Sequence, residues 1–143
     1  MDDGATSATA RSGALGLAVA VHGTSLRVTL ANHGDEPLQA YFGVQSATGT
    51  HHDHLTVELA GEAGTRLLRF TGARDDSPIG IVELASGAEI ADELDLEAWA
   101  TDPINGGTPL ARGAYALTAT YRVQRPRAWS GSVSAGPVRL LVA

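Results

Sequence analysis

The stretch Leu110–Val123 constrains the fold more strongly than any other part of this chain. It reads LARGAYALTATYRV, and its larger apolar residues recur at every second position. One parity holds Tyr115, Leu117, Ala119, Tyr121 and Val123, whereas the other holds Ala114, Ala116, Thr118, Thr120 and Arg122. A period of two residues is typical of a strand that buries one face. The stretch therefore predicts a long strand with one side in a hydrophobic core.

The same stretch contains an L-x-x-G-x-Y spacing, which is formed by Leu110, Gly113 and Tyr115. In β-sandwiches, a tyrosine near the start of such a strand donates its hydroxyl hydrogen to backbone a few residues upstream. We therefore expect the chain to turn a corner before Tyr115 and the hydroxyl to tie that corner together.

The N-terminal third of the chain shows strand and turn signals as well. Leu15–His22 and Leu26–Ala31 have apolar residues at alternate positions, and they are predicted to pair as an antiparallel hairpin across Gly23-Thr24-Ser25. The run Asn32–Pro37 combines Asn, Gly, Asp and Pro, which favour turns, and it predicts a chain reversal. Residues 1–12 are small or polar without periodicity and predict a disordered leader.

Further segments have the length and spacing of strands. Strands are predicted at Leu38–Val44, Leu55–Leu59, Leu67–Phe70, Ile79–Leu84, Ala88–Trp99 and Trp129–Val142, and loops at Gln45–Asp53, Ala73–Pro78 and Ala100–Pro109. The continuous apolar character of Ile79–Leu84 favours a buried strand. Gly136-Pro137 predicts an irregularity in the last strand, because proline within a sheet is confined to edges and bulges.

Ala88–Trp99 leaves two interpretations open. Its apolar parity includes Asp92, and an inward carboxylate predicts either a bulge or a position at the margin of a sheet. Glu, Ala and Leu are also good helix formers, so a helix over Glu89–Ala98 is the alternative. We prefer the strand.

Eight or nine short strands separated by turn signals predict an all-β fold, namely an immunoglobulin-like antiparallel β-sandwich with Greek-key connections. The chain has 143 residues, and a single domain is predicted over residues 13–143 after the leader. Phe, Trp and Tyr together number only seven, so the core is expected to consist mainly of Leu, Val, Ile and Ala.

Composition excludes several classes of partner and chemistry. The formal net charge is −6, with ten Arg, no Lys and sixteen acidic residues, which argues against nucleic acid as a partner. No apolar run approaches the length that a membrane helix needs, so no membrane partner is expected. Because the chain has no Cys, disulfides, thiolate catalysis and Cys-based zinc sites are excluded.

The strongest candidate for a chemical site is the run His51-His52-Asp53-His54, which holds three of the five histidines. Neutral imidazoles bind Zn and Cu, and a carboxylate can complete the ligand shell. In an extended segment His52 and His54 share a face while His51 points away, so a common ion requires the loop to curl. The sequence thus predicts either a Zn or Cu site at His51, His52 and His54 or a solvated polar loop.

Two other groupings have weaker implications. His22 and His33 both sit near predicted turns, where they could approach one another, although ordinary surface positions are the simpler interpretation. The acidic pairs and runs at Asp75-Asp76 and Asp92–Glu97 are better explained as solvated faces than as Ca²⁺ sites.

Sequence signatures of catalysis are missing. The chain has no H-E-x-x-H, no G-x-S-x-G and no phosphate-binding glycine loop, so we expect a protein that is not an enzyme and has no resident cofactor. Trp99 and Trp129 flank the two loops beside the principal strand. We expect them to cover the ends of the core, with a protein or carbohydrate contact as the alternative.

Several short motifs follow one another between His54 and Tyr121. They are Leu55-Thr56-Val57, Arg69-Phe70-Thr71-Gly72, Leu84 with Gly87, Asp95-Leu96 and Gly113-Ala114-Tyr115. This order resembles the N-terminal β-sandwich segment that precedes the catalytic domain of deuterolysin-like metalloendopeptidases. The run Val28–Leu38, in which Asn-x-Gly-Asp-x-Pro separates two strands, is similar to the opening of that segment and of the bacterial intracellular proteinase inhibitor family.

The resemblance covers turns and core positions and carries over no functional residues, because the catalytic half with its zinc-binding His pair has no counterpart here. It implies a non-catalytic module that contacts a polypeptide, either a peptidase to which it is accessory or a protease that it inhibits. It also implies a secreted or periplasmic location. The alternatives are a Zn or Cu module centred on the histidine run and, more weakly, a carbohydrate-binding module.

Overall fold

A computed structural model describes residues 5–42, 44–46, 49–51, 54–69, 81–124 and 128–143. The strands in these ranges are β1 (Ser7–Ser12), β2 (Leu15–His22), β3 (Ser25–Asn32), β4 (Leu38–Tyr41), β5 (Val44–Ser46), β6 (Gly49–His51), β7 (Leu55–Gly61), β8 (Gly64–Arg69), β9 (Ile81–Leu84), β10 (Glu89–Asp95), β11 (Gly113–Val123) and β12 (Gly131–Val142). One short helix, α1 (Leu96–Thr101), and a 3-10 turn at Pro103–Asn105 follow β10. None of the helices in these ranges has the length and apolar character to cross a membrane.

Two antiparallel four-stranded sheets make up the fold, in the orders β1-β2-β3-β10 and β12-β11-β7-β8. The chain leaves the first sheet after β3, builds β7 and β8 in the second, returns as β10, and ends in the second sheet as β11 and β12. Two smaller pairs, β4 with β9 and β5 with β6, complete the described ladders. The predicted all-β antiparallel sandwich is confirmed.

The core between the sheets is aliphatic, as the composition predicts. Its largest fully buried side chains are Leu15, Leu17, Val19, Leu26, Val28, Leu30, Val57, Leu59, Leu68, Leu96, Leu117 and Leu140. Most of them occupy alternate positions along β2, β3, β7 and β11, which leaves the intervening side chains on the outer faces of the sandwich. The predicted inward parity of β11 and the predicted hairpin of β2 and β3 are both confirmed.

The corner before β11 is also as predicted. The Tyr115 hydroxyl donates a hydrogen bond of 2.6 Å to the Ala111 carbonyl. Its ring lies against Gly61 at the end of β7, where a Cβ would come within 2.9 Å of two ring carbons. Glycine at position 61 thus gives the ring the space to lie across the corner.

The N-terminal segment differs from the prediction. Ser7–Ser12 pairs with β2 as strand β1, so the expectation of disorder through residue 12 is wrong for these residues. Ala8 and Ala10 pack on the core, and the Arg139 amide of β12 donates a 2.7 Å hydrogen bond to the Ala5 carbonyl. The segment lacks large apolar residues, yet its backbone completes one sheet and contacts the other.

Two further predictions fail where strands lie away from the main sheets. Within the predicted loop Gln45–Asp53, the described residues contribute to the β5–β6 hairpin, because Val44–Ser46 pairs with Gly49–His51. Ile79–Leu84 is not a buried strand in its described part: Ile81 is 38% exposed, and only Leu84 is buried. β9 pairs only with β4 within the described ranges, so its apolar sequence does not imply a central position. The predictions for Phe70 and for Ala73–Pro78 lie outside the described residues.

Ala88–Trp99 contains both elements that its sequence allowed. β10 runs to Asp95, and α1 begins at Leu96 because the Asp95 carboxylate accepts hydrogen bonds from the Glu97 and Ala98 amides, at 3.0 and 3.3 Å. β10 is the terminal strand of its sheet and pairs with β3 without a register shift. Asp92 therefore lies at a sheet margin, as one of the two predictions states, and the alternative of a bulge is wrong.

The irregularity predicted for the last strand is present. β12 is the terminal strand of the second sheet, and its register against β11 shifts between Leu117 and Ala119. Gly136 lies at this shift with φ of 130°, and a Cβ there would come within 2.6 Å of the Leu117 carbonyl oxygen. Only glycine is compatible with this backbone approach.

Candidate functional site

The predicted histidine site is only partly visible. His52 and Asp53 lie outside the described residues, and of His51 the structure describes the backbone, at the end of β6. His54 is half-buried, and its ring packs on Tyr41 with 4.9 Å between the centroids. Within the described ranges, no group of three His, Asp or Glu side chains could hold a metal ion. The Zn or Cu site at His51, His52 and His54 stays a prediction.

The end of the sandwich that holds His54 is closed by aromatic packing. The Tyr121 hydroxyl donates to the backbone carbonyl of Tyr41, and the Tyr121 ring lies 5.8 Å from that of Trp129. Burial raises the pKa of the Tyr121 hydroxyl above its usual range, so this group is a neutral donor. This arrangement anchors β4 to β11 and covers this end of the hydrophobic core.

Trp99 also covers the core, as predicted. It is 6% exposed, and its carbonyl accepts a 2.9 Å hydrogen bond from the Asn105 side chain. Trp129 is half-buried, and its amide donates to the Gln39 carbonyl at 2.7 Å. Both tryptophans therefore help to cover the core, and the carbohydrate contact stays a prediction.

The predicted loop Ala100–Pro109 is bound to the sandwich by Arg66 of β8. Its guanidinium donates to the Ala100 and Asn105 carbonyls at 2.8 and 3.0 Å, and more weakly to the Pro109 carbonyl at 3.5 Å. The Asn105 carboxamide in turn accepts from the Arg69 amide at 2.9 Å. The loop therefore covers the outer edge of β8, and most of its polar contacts are structural.

His22 and His33 do not come together. His22 pairs with Ser25 at the turn of the β2–β3 hairpin, whereas the His33 amide donates to Ala14 at the opposite end. The His33 ring lies directly over Gly16. The hairpin separates the two histidines by its whole length, so the expectation that they could approach one another is wrong.

A charged surface occupies the outer side of the second sheet. We call it the arginine face and define it by Arg69, Arg122 and Arg139 together with the neighbouring Thr56, Glu58, Thr118, Thr120 and Ser134. Each arginine stands next to buried residues of its own strand and therefore points away from the core. Among the residues that the structure describes, this face carries three guanidinium groups and one carboxylate, a net positive charge, although the whole chain carries −6.

The register of the strands sets the dimensions of the arginine face. Arg69 lies in the row that contains Thr56, Thr120 and Ser134, and Arg139 lies beside Ala116, which is four residues along β11 from Thr120. With strands about 4.8 Å apart and residues about 3.3 Å apart, Arg69 and Arg139 are separated by about 20 Å. An extended peptide of about six residues spans that distance.

Hydroxyl groups and two exposed leucines complete this surface. Thr120 and Ser134 share a 2.8 Å hydrogen bond in the middle of the face. Leu67 on β8 and Leu141 on β12 are 53% and 56% exposed, so apolar contacts are available at two opposite margins. The face thus combines hydrogen-bonding side chains, apolar side chains and cations on paired strands.

A groove runs beside Arg139. It has a volume of 410 Å³ and lies between the N-terminal segment at Ala5 and the β11–β12 pair, with Ala114, Ala116 and Pro137 along its wall. A second depression of 290 Å³ lies at the β7–β8 turn, on the other side of Tyr115, between Glu62 and Arg112. Most of the side chains that line the groove at Arg139 are short, which leaves room for an extended segment to approach the strands.

The arginine face and the role of Arg66 were not predicted from the sequence. The signal for the face was present, because Arg122 belongs to the outward parity of Leu110–Val123. The pairing of β8 with β7, and of β11 with both β7 and β12, is what brings the other two arginines onto the same surface. Comparisons with protein-family models, curated proteins and solved structures find no match to this chain.

Proposed function

We propose that this chain is a non-catalytic, immunoglobulin-like β-sandwich module that binds an acidic polypeptide through its arginine face. One observation carries the proposal. Arg69 and Arg122 make no ion pair with any described residue, although the chain contains sixteen acidic side chains. A guanidinium group binds a carboxylate through two parallel hydrogen bonds, so these arginines suit the carboxylates of a partner.

The position of the face supports a polypeptide as the partner. It lies on regular strands, whose side chains are held in place more rigidly than those of loops. Its length of about 20 Å suits an extended segment, and Leu67 and Leu141 offer apolar contacts at its margins. The resemblance to the β-sandwich segment of deuterolysin-like metalloendopeptidases supports a peptidase as the partner, either one to which the chain is accessory or one that it inhibits, in a secreted or periplasmic setting.

The binding surface can be tested with a labelled peptide of about six residues in which glutamate and leucine alternate, the length that the face accommodates. We expect fluorescence anisotropy to show binding that weakens as salt is added, because charge pairing contributes to it. The double variant Arg69→Glu with Arg122→Glu should bind at least about tenfold more weakly, since each lost pair is worth about 1 kcal/mol or more.

A matched control variant, Arg27→Glu with Arg112→Glu, changes the net charge equally at positions outside the face, and it should retain the binding. A peptide with lysine in place of glutamate should not bind. Equal losses in the two double variants would show that binding follows net charge alone, which contradicts the proposed surface.

The peptidase partner is tested separately. The chain is added to a deuterolysin-like metalloendopeptidase, and casein hydrolysis is measured with the native chain and with the arginine-face double variant. We expect a change in rate that only the native chain produces. If the acidic peptide binds but the rate of casein hydrolysis does not change, the proposed binding surface is supported and the proposed peptidase partner is wrong.

A further inference from the structure

The outer side of the first sheet carries a different arrangement of side chains, which we call the first-sheet face. The register places Arg11, Gly16, Ala31 and Glu89 in one row across the four strands, Thr9, Ala18, Thr29 and Ala91 in the next, and Ser7, Ala20, Arg27 and Glu93 in a third. Its middle strands carry mostly short side chains. No other described element packs over it, apart from the His33 ring at Gly16.

Charge is distributed asymmetrically across this face. The β1 margin carries Arg11, whose Nε donates a 2.8 Å hydrogen bond to the Gly13 carbonyl. The opposite margin, β10, exposes Glu89, Glu93 and Asp95. Glu93 lies 3.7 Å from Arg27 of the neighbouring strand, whereas Glu89 has no ion-pair partner in the described part of the chain. The row that begins with Arg11 on β1 thus ends with Glu89 on β10, a carboxylate without an ion-pair partner among the described residues.

We propose that two copies of this chain associate through the first-sheet face, about a two-fold axis that runs parallel to the strands. This axis places β1 of one copy over β10 of the other, and β2 over β3. Each row of one copy then lies opposite the same row of the other copy. Arg11 of each copy then faces Glu89 of the other. Arg27 faces the short side chain of Ala20, so a large group meets a small one.

The charges also disfavour the other face-to-face arrangement. A two-fold axis perpendicular to the strands places β10 over β10, reverses the order of the rows and brings Glu89 opposite Glu93 of the second copy. This arrangement sets carboxylates against carboxylates along the β10 margin, and like-charge contacts of this kind suppress wrong pairings. The charge pattern therefore selects both the occupant, a second copy, and its orientation.

The size of the face determines how the association must be measured. Four strands about 4.8 Å apart and three rows about 6.6 Å apart, since the residues on one face are two positions apart along each strand, give a patch of about 400 Å² on each copy. The total of about 800 Å² lies below the standard size of specific interfaces, so a weak dimer that depends on concentration is expected.

Sedimentation equilibrium of the full chain over a wide concentration range tests the proposal. We expect a monomer–dimer equilibrium for the native chain. Arg11→Glu and Glu89→Arg should each raise the dimer dissociation constant by about tenfold or more, because the symmetry converts two attractive pairs into two repulsive ones. The double variant Arg11→Glu with Glu89→Arg should restore the native constant, since it exchanges the partners of each pair.

Two further variants separate the interface from general effects. Ala18→Arg introduces a long side chain in the middle of the face and should abolish the dimer, whereas Arg122→Glu on the opposite sheet should leave it unchanged. Near-ultraviolet circular dichroism verifies that each variant is folded. A native chain that remains monomeric throughout, or a double reversal that fails to restore the dimer, overturns the proposal. The measurement needs no peptide, so its outcome is independent of the proposed binding function.

Discussion

At the scale of single residues, two tyrosines on β11 show how far a local pattern reaches. Tyr115 and Tyr121 share the inward parity, and both donate their hydroxyl hydrogen to a backbone carbonyl. The acceptor of Tyr115 is Ala111, four residues upstream, so its role follows from local spacing. The acceptor of Tyr121 is Tyr41, eighty residues away, and only the packed structure identifies it.

Replacing Tyr121 with Phe should lower the free energy of unfolding by about 1–3 kcal/mol, because the buried Tyr41 carbonyl loses its donor. Urea denaturation at neutral pH, followed by tryptophan fluorescence, measures the change. A loss below about 0.5 kcal/mol would show that the hydrogen bond contributes little to stability.

The same residue should produce a dependence of stability on pH. Burial raises the pKa of Tyr121 above its usual value of about 10, so above that pH the unfolded chain loses a proton that the folded chain retains. The native free energy of unfolding should therefore be insensitive to this group below about pH 10 and should fall as the pH rises further. In Tyr121→Phe this component of the fall should be absent. Identical slopes for both proteins would contradict the assignment.

The buried side chain of Asn32 also makes both a local and a long-range hydrogen bond. The sequence predicts only that a turn begins here, and the Asn32 carboxamide does accept from the Gly34 amide at 2.9 Å. Its nitrogen also donates to the Leu84 carbonyl at 2.9 Å, fifty-two residues away. The local hydrogen bond could be predicted, whereas the contact that ties the turn to β9 depends on the fold.

At the scale of elements, the terminal strands are protected by side chains from elsewhere in the chain. The Arg69 amide on the outer edge of β8 is satisfied by Asn105, and Arg66 binds the carbonyls of the loop that supplies Asn105. On β10, the Asp92 carboxylate accepts from the Glu93 amide at 2.9 Å. An inward-pointing charge of this kind discourages further strands from pairing at an edge.

Arg66→Met should release the loop from β8. Its two shorter hydrogen bonds end on partly buried carbonyls, so we expect a loss of about 1–3 kcal/mol in stability and faster amide exchange at Asn105 and Gly106. Arg122→Met, at an exposed position on β11, is the matched control and should change stability by less than about 0.5 kcal/mol. Unchanged exchange rates in Arg66→Met would show that the loop is held by other contacts.

At the scale of the whole molecule, the N-terminal segment links the two sheets. β1 pairs with β2 in the first sheet, and the Ala5 carbonyl accepts from Arg139 in the second. This link lies beside the groove at Arg139 and at the margin of the first-sheet face. The segment that was predicted to be disordered therefore borders both surfaces for which we propose partners.

Removing residues 1–12 should leave the chain folded but less stable, by about 1–3 kcal/mol, because Ala8 and Ala10 no longer cover the core. Thermal unfolding followed by circular dichroism measures the difference from the full chain. Mutating Thr9 to Ser within β1 is a conservative control that should leave the transition almost unchanged. A truncated chain with native stability would contradict the structural role of β1.

The sequence alone determined the features that depend on neighbouring residues. Alternation along β2, β3, β7 and β11 identified the inward side chains, the spacing before Tyr115 identified the corner, and Gly136-Pro137 identified the irregular last strand. These features follow from the two-residue period of a strand and from the backbone preferences of glycine and proline, both of which act over a few residues.

Only the tertiary structure decided which strands lie side by side. That pairing determined the features that the sequence did not predict. It converted an apparently disordered leader into β1, exposed Ile81 despite its apolar segment, and gathered Arg69, Arg122 and Arg139 on one surface. The physical reason is that pairing between strands joins residues far apart in the chain, and the alternation within a single strand contains no information about its neighbours.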